Sequence, residues 1–161
     1  MTSRQRLILV LVALTGCVGC DQGTKILAER ALAGAAPVSL LGGMVRLTYT
    51  ENAGAFLSLG AGLPESLRFS VFVVLVAFGL AALLFVTLAD GRLTTTQVAA
   101  LSLLTGGGLS NLADRVANHG AVVDFMNLGI GRLRTGIFNV ADVAIMGGAV
   151  LLALSSLRRA A

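Results

Sequence analysis

Two aspartates stand where a carboxyl side chain needs a reason. Asp142 lies five residues into an apolar run that begins at Ile137, roughly 7.5 Å along a helix, and no Lys or Arg falls within four residues of it. Asp124 is set in Val122-Val123-Asp124-Phe125-Met126, again among apolar neighbours. Neither has a cation close in sequence, so each must find a partner elsewhere in the fold or keep its proton. If the two face each other about 4 Å apart, their repulsion at an effective dielectric near 20 is about 4 kcal/mol, or roughly three pK units, and they share one proton. A carboxylate pair in that state can hydrolyse a peptide. The ionised member takes a proton from water, and the protonated one hydrogen-bonds the carbonyl under attack.

The remaining polar residues come in helical pairs. Asp21 and Lys25 are spaced i,i+4, as are Asn111 and Arg115, with Asp114 at i,i+3 from Asn111; Asn139 and Asp142 are i,i+3. Each pair shares one helix face. A charge in a bilayer-spanning helix costs about 2.5–3.5 kcal/mol at the centre, which makes such residues functional candidates. The plainer reading of Asp21–Lys25 and Asp114–Arg115 is an interfacial ion pair that lets a helix end reach water. Other chemistries find less material. His119 is the single histidine and reads as a loop residue without a role, and the serines lack a nearby base. No glycine-rich phosphate loop follows a strand and no ligand cluster has metal spacing, so neither cofactor nor metal is expected.

These residues must be held by an unusually apolar chain. Hydrophobic residues make up 56% of the 161 and charged residues 12%, with a mean hydropathy of +0.89. A water-soluble fold of one domain could not hide that much apolar surface. Four uninterrupted apolar stretches run from Leu7 to Cys20, Phe69 to Ala89, Val98 to Ala113 and Ile137 to Leu157. The second and fourth, of 21 residues, reach roughly 31 Å as helix, enough to cross a hydrocarbon core. The first and third, of 14 and 16 residues, become long enough by continuing into their polar flanks. The expected fold is therefore an α-helical integral membrane protein in a single domain over 1–161. Its four transmembrane helices are placed at about 7–25, 68–89, 96–114 and 137–157. Gly106-Gly107-Gly108 suits close helix packing in lipid.

Four crossings put Asp21, Lys25, the loop 26–68, Asn111, Asp114, Arg115, Asp124, Asn139 and Asp142 on one side of the membrane. The other side receives Arg4, Arg6, Asp90, Arg92, Arg158 and Arg159. Counting Lys and Arg gives five on the second side and seven on the first, so the count alone leaves orientation open. Because the five sit in two tails and one short turn, both termini are placed in the cytoplasm. Within the loop, Val45-Arg46-Leu47-Thr48-Tyr49-Thr50 alternates as a strand. With Leu40 to Met44 before it and Ala55 to Leu59 after it, a small sheet over about 38–59 is expected on the membrane surface. The net charge of +4 comes from scattered cations with one Tyr and no Trp, which argues against a nucleic-acid partner. Cys17 and Cys20 form neither a disulfide framework nor a zinc pattern and read as small packing residues.

Five blocks of residues together resemble lipoprotein signal peptidases (signal peptidase II). They are Asp21-Gln22-Gly23-Thr24-Lys25, Asn52-Ala53-Gly54-Ala55-Phe56, Gly108 to Arg115, Val123-Asp124-Phe125 and Phe138-Asn139-Val140-Ala141-Asp142. Order, spacing and membrane setting agree from Asp21 to Asp142; the second block departs in having Ala55 alone between its glycine and Phe56, where the family usually carries another small residue. The resemblance implies a membrane aspartic endopeptidase of the bacterial inner membrane, with its site near the extracytoplasmic face. Such an enzyme removes the signal peptide of diacylglyceryl-modified prolipoproteins by cutting before the lipidated cysteine. It implies Asp124 and Asp142 as catalytic, Asn111, Arg115 and Asn139 as the polar shell around them, and Asp21, Lys25, Asn52 and Gly54 as bracing. Prolipoproteins and membrane lipids are the implied partners.

Two other readings start from the same residues. Arg4, Arg6, an apolar run and Leu14-Thr15-Gly16-Cys17 look like a lipoprotein's own signal peptide, but three further apolar spans follow. A small transporter or channel subunit would also carry intramembrane charges, yet such a path needs polar residues through the full bilayer depth, and here they gather at one face.

Overall fold

The computed structural model describes residues 1–54, 62 and 64–160. Helix α1 (Ser3–Leu32) opens on a capping box in which the Thr2 hydroxyl accepts from the Gln5 N–H at 3.2 Å and the Gln5 side chain accepts from the Thr2 N–H at 2.9 Å. It runs a full two turns past the expected end at residue 25. The reason is packing: Ala28 and Leu32 of the extension form a small buried cluster with Phe125, against which Leu47, Tyr49, Met126 and Val140 pack.

Strands β1 (Val38–Leu40) and β2 (Val45–Asn52) follow, joined by a 3-10 turn at Leu41–Gly43. Next come α2 (Glu65–Phe69), a π-helical stretch (Ser70–Leu75) and α3 (Val76–Ala89). The chain continues with α4 (Thr95–Ala117), β3 (Val122–Ile130), β4 (Leu133–Arg134) and α5 (Val140–Ala160). The strands form one antiparallel sheet in the order β1-β2-β3-β4. The expected strand at Val45–Thr50 is present within β2, whereas Leu41–Gly43 is helical. The sheet is completed by β3 and β4 from the α4–α5 connection rather than from the α1–α2 loop alone. The strand expected at Ala55 to Leu59, and Phe56 with it, lie outside the described residues.

Among the described residues three helices are long and apolar enough to cross a membrane: Ser3–Leu32, Ser66–Ala89 and Val140–Leu157. The protein is thus a mostly helical, multi-pass membrane protein with a small antiparallel sheet. Helix α4, expected as a fourth apolar span, is not among the three. Its composition is that of a helix enclosed by other helices. Val98, Ala100, Leu101, Ser102, Thr105 and Ser110 are all buried, and the Ser102 and Thr105 hydroxyls donate back to carbonyls one turn earlier at 2.7 and 2.8 Å. The three consecutive glycines each meet a different neighbour. A Cβ on Gly106 would lie 2.8 Å from Cys17 of α1, one on Gly107 would lie 2.5 Å from the Ala141 carbonyl of α5, and one on Gly108 would lie 2.5 Å from Leu80 of α3. Cys17 therefore has the packing role expected of it, while Cys20 is exposed.

Opposite ends of the helices are tied by Arg6, which is buried and donates to the carbonyl oxygens of Asp90 at 2.7 Å and Leu88 at 3.3 Å. A guanidinium on the last carbonyls of a helix satisfies acceptors that have no partner within it. The start of α1 thereby lies beside the end of α3.

Candidate active site

Asp124 and Asp142 are brought together by asparagines. β3 pairs with β2 so that Asp124 stands opposite Thr50, and α5 begins at Val140 with Asp142 in its first turn. There Asp142 acts on its own helix start: its Oδ2 accepts from the Asn139 N–H at 3.2 Å, and the Asn139 Oδ1 accepts from the Asp142 N–H at 2.9 Å. The Asn139 side chain is left with its Nδ2, which donates to Asp124 Oδ1 at 2.7 Å and to Asn111 Oδ1 at 3.1 Å. Asn111 Nδ2 donates to Asp142 Oδ1 at 3.0 Å, and Asn52 Nδ2 donates to Asp124 Oδ2 at 3.0 Å. Every carboxylate oxygen of the pair thus accepts one side-chain or backbone N–H, and a single residue, the fully buried Asn139, touches both acids.

Asp124 is 3% exposed, and burial pushes its carboxyl from the ordinary 3.8 up to about 6. Hydrogen bonds from Asn52 and Asn139 oppose that shift, and the negative charge of Asp142 adds to it. A carboxyl held in this range exchanges its proton near neutral pH, which general acid–base chemistry requires.

Beneath the pair lies a buried ionic knot. Lys25 Nζ contacts Asp21 at 2.6 Å, Asp114 at 2.8 Å and the Asn111 Oδ1 at 3.0 Å. Asp21 is fully buried and accepts from the Ala141 N–H and the Ser110 hydroxyl, both at 2.8 Å. Asp114 accepts from Gln22 Nε2 at 2.7 Å and from the Val123 N–H at 3.0 Å. The interfacial reading of these pairs fails on burial, since Lys25 is 4% and Asp114 4% exposed. It fails also on partnership, because Asp114 pairs with Lys25 rather than with Arg115. Arg115 turns instead to the carbonyls of Gly54 and Asn111 and lies 5.6 Å from the Phe72 ring centroid. Gly54 also receives the chain turn after β2, its N–H donating to Asn52 Oδ1 at 3.0 Å.

All nine residues singled out from the sequence fall in this one connected cluster. Asp114, Gln22 and Ser110 belong to it as well. The sequence offers Asp114 only as an ion-pair partner of Arg115, and Gln22 and Ser110 stand inside the quoted blocks without a role, because what they touch is remote in sequence. His119 is exposed, on the turn after α4, outside the network.

Two clefts open at Asp142. A groove of about 900 Å³ runs from Asp142 along α5 past Val143, Met146, Val150 and Leu154, with Arg134 at its head. A smaller cleft of about 360 Å³ lies on its other side, between Asn111, Arg115 and the apolar Phe72, Val76 and Met146.

Comparison with known proteins follows the same lines. Residues 12–158 match the family model of signal peptidase (SPase) II. The chain is 36% identical over 143 residues to the lipoprotein signal peptidase of Geobacter sulfurreducens, covering 89% of this chain and 88% of that one. It is 34% identical to that of Geobacter metallireducens, over 98% of this chain and 94% of the relative. A solved bacterial membrane enzyme superposes with a TM-score of 0.80 at 26% identity, covering 94% of this chain and 89% of the other. A second superposes with a TM-score of 0.75 at 25% identity, covering 92% of each chain.

Proposed function

This chain belongs to the signal peptidase II family, and from that premise we propose how its residues carry the reaction. As a lipoprotein signal peptidase it is an aspartic protease that removes signal peptides from prolipoproteins. The transporter or channel reading gains no support from these relatives.

Asp124 and Asp142 are the catalytic pair. The observation that carries the assignment is Asn139, whose side chain bonds Asp124 at 2.7 Å while its backbone N–H bonds Asp142 at 3.2 Å. With one proton between them, the ionised acid takes a proton from water as its oxygen adds to the carbonyl carbon of the residue before the lipidated cysteine. The protonated acid hydrogen-bonds the carbonyl oxygen. As the tetrahedral intermediate collapses, the cysteine nitrogen gains a proton and the C–N bond breaks, leaving a carboxyl on the signal peptide and an amine on the mature protein. Asn111 and Asn139 orient the acids, Arg115 positions the substrate backbone, and Asp21, Lys25, Asn52 and Gly54 brace the site, Asn52 by holding Asp124 and the turn at Gly54.

Residues 1–161 form one four-span domain in the inner membrane, with α4 as the fourth crossing. Its 23 residues extend roughly 34 Å at about 1.5 Å per residue, and its enclosed surface frees it from the need to be apolar. Both termini face the cytoplasm and the acids lie near the extracytoplasmic face, where the sheet rests on the lipid surface. The substrate carries a diacylglyceryl group and arrives from within the bilayer, and the apolar groove along α5 gives its signal segment a lipid-side approach. Membrane lipids are partners and nucleic acid is not.

The test is Asp124→Asn and Asp142→Asn, each expressed in a strain lacking its own enzyme, with prolipoprotein processing followed by gel shift. Each variant is expected to accumulate in the membrane and to process nothing. More than a few per cent of activity in either would remove the pair from catalysis.

A further inference from the structure

We propose that Arg46 and Arg134 form a site for the phosphate of an anionic phospholipid whose acyl chains lie in the apolar groove along α5. The inference rests on the membrane setting of α5 given above and does not depend on which residues are catalytic.

Asn127 brings the two arginines together. Arg46 on β2 stands opposite Asn127 on β3, while the Nε of Arg134 on β4 donates to the Asn127 Oδ1 and its Nη2 to the Asn127 carbonyl at 3.2 Å. The Arg134 Nη1 donates to the Gly43 carbonyl at 2.8 Å, so the guanidinium is fixed in one orientation. A guanidinium carries five N–H donors, and those not used in these bonds are left in a rigid fork that suits a phosphate. Arg46 is exposed and makes no hydrogen bond or ion pair with any described residue. Partial burial and the positive charge of Arg46 both lower the Arg134 guanidinium from its ordinary value. Nothing in the nearby chain neutralises them, since the segments 38–50 and 125–141 contain Arg46, Arg132 and Arg134 and neither Asp nor Glu.

Arg134 also stands at the head of the α5 groove, with Thr135 and Asp142. The Thr135 hydroxyl accepts from the Leu128 N–H at 3.0 Å and keeps its own proton to donate. Asp142 is the one acid among the described lining residues, and its two oxygens already accept from Asn111 at 3.0 Å and Asn139 at 3.2 Å. With a single negative charge shared between Asp124 and Asp142, the two arginines leave the head of the groove net positive.

Below the head the lining is apolar: Val143, Met146, Val150 and Leu154 are each about half exposed. From Val143 to Leu154 the helix extends roughly 16 Å at about 1.5 Å per residue, about half of a hydrocarbon core about 30 Å thick. The groove thus has the depth of one leaflet. Gly147 lines it too, and its helix neighbours do not account for it. A Cβ on Gly148 would lie 2.7 Å from the Ala100 carbonyl, whereas one on Gly147 would meet nothing within 4 Å. What the missing side chain of Gly147 provides is room in the groove. A cationic head above a leaflet-deep apolar hollow matches the two halves of one phospholipid. An anionic headgroup brings its phosphate to the arginines uncompensated, whereas a zwitterionic one brings an ammonium with it. The lipid is the occupant in the absence of precursor, because the signal segment approaches along the same surface.

The experiment titrates the purified full-length protein, in zwitterionic detergent and without precursor, with phosphatidylglycerol or with phosphatidylcholine of the same chains. Bound lipid is read by native mass spectrometry. Wild type is expected to bind phosphatidylglycerol at least about fivefold more tightly than phosphatidylcholine. Arg46→Glu, which sets a carboxylate beside Arg134, should bring that ratio to about one, and Gly147→Leu, which fills the groove, should weaken both lipids at least about fivefold. Both positions are exposed, so the folded chain accommodates either change. Equal affinity for the two lipids in wild type would overturn the proposal without reference to any variant. A preference that survives Arg46→Glu, or lipid binding untouched by Gly147→Leu, would overturn it as well. Inorganic phosphate that displaced phosphatidylglycerol as readily as more lipid does would make a soluble anion the ligand and sink the proposal too. These affinities are measured without catalysis, whereas the catalytic assignment fails on activity surviving Asp124→Asn or Asp142→Asn, so the two failures are distinct.

Discussion

Gly107 on α4 approaches Ala141 on α5 so closely that a methyl group at 107 would come within 2.5 Å of the Ala141 carbonyl oxygen. The Ala141 N–H is in turn bonded to Asp21 at 2.8 Å, and the next residue is Asp142. The approach therefore sets where a proposed catalytic carboxylate stands. Gly107→Ala is expected to push α5 outward at a cost of about 1–3 kcal/mol, lowering the melting temperature in detergent and the processing rate together. Gly79→Ala, where nothing lies within 4 Å, serves as the comparator and should melt at or slightly above wild type. Equal melting of the two variants would mean that the helices can separate there without cost.

Lys25 is the counter-ion of two buried acids, so Lys25→Met leaves Asp21 and Asp114 without a cation. Breaking a buried pair by removing one partner costs about 3–5 kcal/mol, because the remaining charge stays in a poor solvent. The variant should accumulate poorly in the membrane by immunoblot, and adding Asp114→Asn to it should restore part of the signal. Wild-type abundance of Lys25→Met alone would show that the acids are neutralised in some other way.

Asp124 gives stability a pH dependence of definite sign. Its carboxyl titrates near 3.8 when unfolded and at about 6 in the folded protein, so between those values the folded state binds the extra proton. Stability from this group therefore falls as pH rises through the window, and the full cost, at most about 3 kcal/mol, is present above pH 6 or so. Asp124→Asn removes the titration. The melting temperature of the variant minus that of wild type should increase from pH 4 to pH 7. A difference that is flat with pH would mean that Asp124 is ionised throughout.

Two acyl chains anchor a protein stably where one does not, at about 0.8 kcal/mol per buried methylene. A precursor lacking its diacylglyceryl group should therefore be cut with kcat/KM at least about tenfold lower in micelles, a loss of roughly 1.4 kcal/mol or more. Equal values for the two precursors would mean that the polypeptide alone is read.

Much of the cluster is visible in the sequence because charge in an apolar chain is rare. Asp124 and Asp142 stand out by lacking local cations, and they do share one asparagine. Partnership is harder to read. Asp114 and Arg115 are adjacent, but neighbours on a helix point about 100° apart, and Asp114 instead meets Lys25 across 89 positions of chain. Helix α4 falls outside the apolar spans because its small and hydroxyl residues are buried against the other helices. Strand β3 is obscured because Val122 to Asn127 does not alternate: its first four residues, Asp124 included, are all buried. Its pairing with β2 is a long-range choice that no local pattern announces.

The bond from the Ala141 N–H to Asp21 closes a loop of 120 residues, and that from Asn52 to Asp124 closes one of 72. Contacts so far apart form late, after the loop-closure entropy has been met. During synthesis the first helix enters the bilayer long before α4 and α5 exist, and until then Asp21 and Lys25 have only each other while Asn52 waits for Asp124. The two acids come together only when the last helix is inserted. A cluster drawn from Asp21 to Asp142 cannot assemble on a chain that stops short of α5, so the proposed protease is idle in the membrane while it is still being built.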